Sequence, residues 1–273
     1  MKALDESFFD FHFLDDLSRN NTVIHRIDPR VKIITTLVYA IIIVSFDKYE
    51  IFSIIPFCLY PVVLCSIGNI PIVTIIKKMI IVSPFAIFIG IFNPFIDKTP
   101  VAELGKMVVS GGLLSFFSIL LRFSLTVSAA LLLIAVTGFN KICRALEKLG
   151  IPKIFIIQLM FLYRYIFVLG EELVRMNRAR MLRSGINTGI KFSIYKNIIG
   201  CLLIRTLDRA QRIHLAMSCR GFNGTIRVLN PIKINRISVF FLFIWLGFFI
   251  GLRIVNVPHF LGLYFLKLLE LFL

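Results

Sequence analysis

Hydrophobic positions in the first 140 residues come as unbroken runs, not at the spacing of a half-buried helix or strand. Residues 33–46, 51–67, 79–96 and 111–136 form four such runs, and 237–252 forms a fifth. Runs of this kind predict helices that are apolar all round, sitting in a large core or in lipid. The first run is short for a hydrocarbon layer of roughly 30 Å at 1.5 Å per residue, so its flanks must help or partners must shield it. Asp28 is a good N-cap for it, and Pro29 suits the first helical position. Pro56 and Pro61 should bend the second run, and Gly68-Asn69-Ile70-Pro71 should break the pattern after it. Pro84 and Asn93-Pro94 interrupt the third run, and residues 97–106 read as a loop. The fourth run is rich in small residues, among them Gly111, Gly112, Ser115, Ser118, Ser124, Ser128, Ala129 and Ala130. In lipid, small residues let helices approach closely, here either a partner membrane subunit or another helix of this chain. Arg122 lies inside this run near its outer end, where it is either functional or snorkels to the interface.

From Lys141 the pattern becomes amphipathic. Residues 141–150 predict a short basic helix ended by Gly150, and Ile151-Pro152 restarts the chain. Residues 154–183 predict one long helix, apolar in its first half and studded with charge in its second. Its length would allow a sixth span. Arg164 in its middle and basic residues at both flanks favour a helix at or under the inner membrane surface. Residues 195–220 predict the next helix, with Ile199, Leu203, Thr206, Ala210, Ile213 and Met217 as a packing seam. Gly221 should close it as a C-cap.

Composition sharpens this picture. The chain is 58% hydrophobic, with a mean hydropathy of +0.88. Together with the long runs, that predicts an all-α, polytopic membrane protein with about five transmembrane helices. The net charge is +16, and residues 141–236 hold 18 Lys and Arg against four acids, a net +14. In a membrane protein such an excess marks the cytoplasmic side, with anionic lipid as a second explanation. The spans exclude a nucleic-acid binder in practice. The expected organisation is 1–140 (a cytoplasmic lead and four spans), 141–236 (cytoplasmic helices) and 237–273 (a last span and a tail). The N-terminus is then cytoplasmic and the site is the cell membrane. The five cysteines show no C-x-x-C spacing and read as small buried apolar residues, not disulfides.

The basic region repeats one short phrase. Ala179-Arg180-Met181-Leu182-Arg183-Ser184-Gly185 and Ala216-Met217-Ser218-Cys219-Arg220-Gly221-Phe222 both place Ala four residues before Arg, with Gly just after. A single such end is explained by a cation at a helix C-terminus followed by a glycine cap. Two copies 37 residues apart suggest more. In each, Ala lies one turn before Arg on the same face and leaves a notch beside a long cation. Such an end can enter a groove lined by carboxylates, which the planar guanidinium binds bidentately. Two matching ends suggest docking onto two copies of one partner.

The segments HRIDPRVK (25–32), YRYIFVLGEELVRMNRARMLRSG (163–185) and DRAQRIHLAMSCRGFNG (208–224) resemble the transmembrane coupling subunit of energy-coupling factor transporters. Tyr163-Arg164-Tyr165 and Glu171-Glu172 in this context are most similar to its cobalt branch, the CbiQ family. The resemblance implies two coupling helices that dock onto two ABC ATPase subunits, with a separate membrane subunit binding the substrate. By position it implies docking roles for Ala179, Arg180, Arg183 and Gly185 in the first motif, and for Ala216, Arg220 and Gly221 in the second. Ser184 stands where that family often has glycine.

The chain has no G-x-x-x-x-G-K-[ST] phosphate loop, no Ser-His-Asp pattern and no His/Cys/Asp cluster at ligand spacing. The expectation is a non-catalytic subunit with no cofactor and no metal site of its own. Cobalt uptake is the first reading, and nickel or vitamin uptake is the alternative. A stand-alone carrier should show paired polar residues at mid-membrane and repeated spans, and neither is evident.

Overall fold

The computed structural model describes residues 17, 18, 20, 22–48, 50–96, 100–104, 107–184, 192–224 and 236–254. In chain order the helices are α1 (Pro29–Val44), α2 (Leu59–Gly68), α3 (Ile72–Gly90), the single turn α4 (Asn93–Ile96) and α5 (Gly111–Thr137). Then come α6 (Phe139–Lys148), α7 (Lys153–Ser184), α8 (Phe192–Cys219) and α9 (Arg236–Ile254). Strands β1 (Pro100–Leu104) and β2 (Met107–Ser110) pair antiparallel between α4 and α5. The loop expected at 97–106 therefore contributes to a hairpin, a local pairing that the run pattern does not announce. The protein is an all-α, polytopic membrane protein with this hairpin as a minor addition.

The described residues fall into two compact units. The first, here the bundle unit, holds α1–α5 and α9. Helix α5 packs against α1, α2, α3 and α4, and α1 packs against α5 and α9. Asp28 caps α1 as expected: its side chain accepts the Arg30 N–H at 2.8 Å, and Pro29 follows at the first helical position. With 16 residues, α1 reaches only about 24 Å, short of a bilayer core. Its neighbours within the chain compensate, because Val31, Ile33, Tyr39 and Ile43 are buried. The second run is shorter still as a helix. Pro56 lies in a 3-10 turn at Ile55–Cys58, and α2 begins only at Leu59. Asn69, with φ at +50°, ends α2, and Ile70 N–H bonds to the Cys65 carbonyl at 3.1 Å.

Helices long and apolar enough to cross a membrane are Ile72–Gly90, Leu114–Thr137, Lys153–Arg183 and Arg236–Ile254. Three of these correspond to expected spans. The fourth is the long helix that sequence reasoning placed at the surface. Pro84 lies within α3 without ending it.

A fully buried aromatic cluster holds α1, the α2 region and α9 together. Tyr39 and Tyr60 lie 4.6 Å apart between ring centroids, Tyr60 and Trp245 4.8 Å, and Tyr39 and Phe249 5.3 Å. The hydroxyls are satisfied inside: Tyr39 donates to the Phe57 carbonyl at 3.0 Å, and Tyr60 pairs with Thr36 at 3.0 Å. This satisfies the usual demand that a buried phenol find a partner.

At the Ser45 end of α1, two arginines secure the turn. An Arg122 Nη donates to the Asp47 carbonyl. Arg253 Nη2 donates to the Ser45 carbonyl at 3.2 Å, and its guanidinium lies 4.2 Å from the Phe46 ring. Arg122 thus reaches the turn that follows α1. The small residues of α5 pack inside the chain: Ser115, Ser118 and Ala129 are buried, and α5 meets α1, α2, α3 and α4. At one such crossing, a Cβ on Gly90 would come within 2.8 Å of the Phe116 ring.

The second, basic unit comprises α6, α7 and α8. Gly150, with φ at +106°, follows α6, and Ile151 N–H bonds to the Leu146 carbonyl at 3.2 Å. Tyr163 on α7 stacks on Phe139 of α6, with centroids 4.2 Å apart and planes 15° from parallel. All five cysteines are free thiols.

Candidate functional site

The basic unit carries the expected site residues. Helix α7 is 32 residues long and α8 is 28, about 48 Å and 42 Å of axis. Ala179 and Arg183 sit one turn apart near the end of α7, both exposed, with Arg180 half-buried beside them. Gly185 lies outside the described residues. Ala216 and Arg220 repeat the arrangement at the end of α8, both exposed. There the local geometry is complete. Gly221 N–H bonds to the Ser218 carbonyl at 3.0 Å and Phe222 N–H to the Met217 carbonyl at 3.0 Å. This is the paired bonding of a Schellman cap, with Gly221 in the left-handed region at φ +72°. The cap leaves the Arg220 side chain free of backbone duty.

The structure does not bring the two motifs together. Leu169 and Glu172 of α7 share a polar cavity with Leu202 and Arg205 of α8. Phe161 and Tyr165, earlier in α7, share an apolar one with Ile213 and Met217, later in α8. The helices therefore run antiparallel. Arg183 lies 11 residues beyond Glu172, about 16 Å along α7. Arg220 lies 15 residues beyond Arg205, about 22 Å along α8 in the opposite sense. The two guanidinium ends therefore lie at opposite ends of the α7–α8 pair.

An ion pair links α7 and α8 where they cross. Arg205 Nη1 donates to Glu172 Oε1 at 2.7 Å, with side chains 58% and 20% exposed. Arg175 lies 3.6 Å from Glu171 and 3.7 Å from Glu172. Arg205 of α8 thus faces α7. The signal was an acid pair in α7 with basic residues at helical spacing in α8. The apolar cavity has a volume of about 430 Å³, and Leu169, Ala210 and Phe222 also line it.

The α8 seam also differs. The half-buried positions are Ile194, Ile198, Leu202, Thr206, Arg209, Ile213 and Met217, while Ile199, Leu203 and Ala210 are exposed. Of the expected seam, Thr206, Ile213 and Met217 pack as read. Among the described residues, no group of three or more His, Cys, Asp or Glu is placed to hold a metal ion. His25 is structural: Thr22 Oγ1 lies 2.7 Å from its Nδ1, and its Nε2 lies 3.1 Å from the Leu17 carbonyl.

Long apolar helices combined with a basic helical unit define a polytopic membrane protein. Residues 20–232 match the family described as CbiQ, cobalt transport protein, and the chain belongs to that family. It is a membrane component of a transporter. An uncharacterised protein of Methanocaldococcus jannaschii is 29% identical over 250 residues, covering 87% of this chain and 84% of that protein. The energy-coupling factor transporter transmembrane protein EcfT of Leuconostoc gelidum is 26% identical over 248 residues, 80% of this chain and 88% of its own. The cobalt transport protein CbiQ of Rhodobacter capsulatus is 33% identical over 86 residues, 31% of this chain and 35% of its own.

Proposed function

We propose that the chain is the transmembrane coupling subunit of an energy-coupling factor importer. Two ABC ATPase subunits dock on it, one at the Arg183 end and one at the Arg220 end, and hydrolyse ATP. Their motion passes through α7 and α8 to the membrane helices and re-orients a separate membrane subunit that binds the substrate. The observation that carries this reading is the pair of exposed Ala-x-x-x-Arg ends facing away from each other on antiparallel helices. Ala179, Arg180, Arg183 and Gly185 form one docking end, and Ala216, Arg220 and Gly221 the other.

In this reading residues 141–236 are cytoplasmic, between membrane segments in 1–140 and 237–273, and the N-terminus is cytoplasmic. Helix α7 lies at the inner surface. Support comes from its charged second half and from Arg164 amid exposed Ile154, Phe155, Leu162 and Ile166, an apolar strip suited to the acyl boundary. The substrate is cobalt ion, a proposal supported by the family description and by the Rhodobacter relative's name.

The test is co-purification. Arg183→Ala and Arg220→Ala together should abolish recovery of ATP-hydrolysing subunits with this chain, and cobalt uptake should fall with it. Losing the partner of a buried charged pair costs about 2–5 kcal/mol, enough to separate two proteins. Undiminished recovery of the ATPases from the double variant would overturn the reading.

A further inference from the structure

Two positions bracket the basic unit along the chain. Val136 and Thr137 end α5 just before it, and Ser238 lies in the first turn of α9 just after it. Both sides are fastened to the same turn of α1. Lys32 Nζ donates to the Val136 carbonyl at 3.4 Å. The backbone N–H of Asp28 donates to Ser238 Oγ at 3.0 Å. All are buried: Asp28 is 3% exposed, Lys32 5%, Val136 3% and Ser238 0%.

Physical chemistry gives these contacts a purpose. A helix that ends inside the protein leaves carbonyls to be satisfied. Gly138 N–H reaches the Ile134 carbonyl at 2.8 Å, and the Lys32 ammonium serves the Val136 carbonyl. A cation is the donor best matched to the negative end of a helix. A buried lysine is costly, so sequences keep one where it has a specific task. The Asp28 carboxylate is engaged with Arg30 N–H, and its own N–H holds the start of α9. Behind this turn lies the aromatic cluster of Tyr39, Tyr60 and Phe249, close-packed and so able to move as one body.

We propose that the Asp28–Lys32 turn is the joint at which displacement of the basic unit is handed to the membrane helices. Gly138 alone separates α5 from the first helix of the basic unit, and Ser238 stands in the first turn of the helix that follows that unit in the sequence. Lys32 and Ser238 are positioning residues, not docking residues. The inference rests on the coupling reading above.

The test compares Ser238→Ala, Lys32→Gln and Lys32→Arg in the assembled complex in proteoliposomes, measuring ATP hydrolysis and cobalt(II) uptake on the same sample. Ser238→Ala removes one oxygen from a side chain and is the variant least able to disturb folding. The expected result is ATPase recovery and hydrolysis at wild-type level. Uptake per ATP should fall about tenfold in Lys32→Gln, the worth of one hydrogen bond to a charged group. It should fall several-fold in Ser238→Ala and be restored in part by Lys32→Arg. A wild-type uptake ratio in both Lys32→Gln and Ser238→Ala would overturn the joint alone. So would hydrolysis and uptake falling together in step with recovered protein, the mark of a merely structural role. Wild-type protein that retains no ATPase would overturn the coupling reading as well.

Discussion

Gly221 offers the sharpest test of how the second arginine end is built. Its φ of +72° lies where a side chain is strained, and a Cβ placed there meets no atom within 4 Å. Replacing it with alanine therefore costs conformational energy and nothing from packing, about 1–2 kcal/mol. That energy comes from the cap, so the Gly221 and Phe222 amides should open about 5–30 times more often. Asparagine tolerates the left-handed region, as Asn69 does at the end of α2 with φ +50°. The assay is amide hydrogen exchange on residues 214–224 of the lipid-embedded protein, paired with recovery of the ATPases. Gly221→Ala should exchange fastest, Gly221→Asn should fall between it and the wild type, and ATPase recovery should follow the same order. Equal exchange in the alanine and asparagine variants would refute the conformational argument. Lost docking with unchanged exchange would show instead that the partner requires a bare backbone at that position.

Three further outcomes follow from the packing. Gly90→Ala drives a methyl into the Phe116 ring and should cost about 1–3 kcal/mol, read as a lower thermal midpoint in detergent, with Phe116→Leu recovering part of it. Arg253→Ala loses the Ser45 carbonyl bond and the Phe46 ring contact and should destabilise by about 1–2 kcal/mol in the same assay, whereas Arg253→Lys should cost less. Arg205 in the Glu172–Arg205 pair is exposed, so either single charge reversal should lower the thermal midpoint only slightly. The double reversal should restore part of that loss, because Glu172 also lies 3.7 Å from Arg175, and a double-mutant cycle measures the coupling directly.

Much of the helical plan was legible because its signals are local. Asp28-Pro29 marks a helix start by hydrogen bonding within three residues, and Gly150 and Gly221 mark helix ends by a backbone angle that few residues adopt. What escaped was non-local. Lys32 reads in sequence as one more basic flank fixing an inside end. It is buried because the α5 terminus, about 100 residues on, presents a carbonyl to it. Thr35 and Thr36, in an apolar run, were the available hint that one face of α1 packs against protein. The α8 seam was misread in its first half because Ile198, Ile199, Leu202 and Leu203 offer two adjacent apolar stripes, and periodicity alone does not choose between them. At the candidate site the arginines and their spacing were legible. Their separation was not, because it depends on the antiparallel crossing of α7 and α8.

The shortness of α1 has a consequence for how the protein is made. This helix leaves the ribosome before α5 and α9, yet it is too brief to span lipid unaided. Its partner α5 ends at Thr137, and α9 is not complete until Ile254. At about 5–20 residues per second, the newborn segment waits on the order of ten to forty seconds for its last neighbour. Until then its lysine and threonines must be sheltered by the insertion machinery. A segment made well before its neighbours is thus among the last to be secured, and truncations that stop short of α9 should be cleared by quality-control proteases.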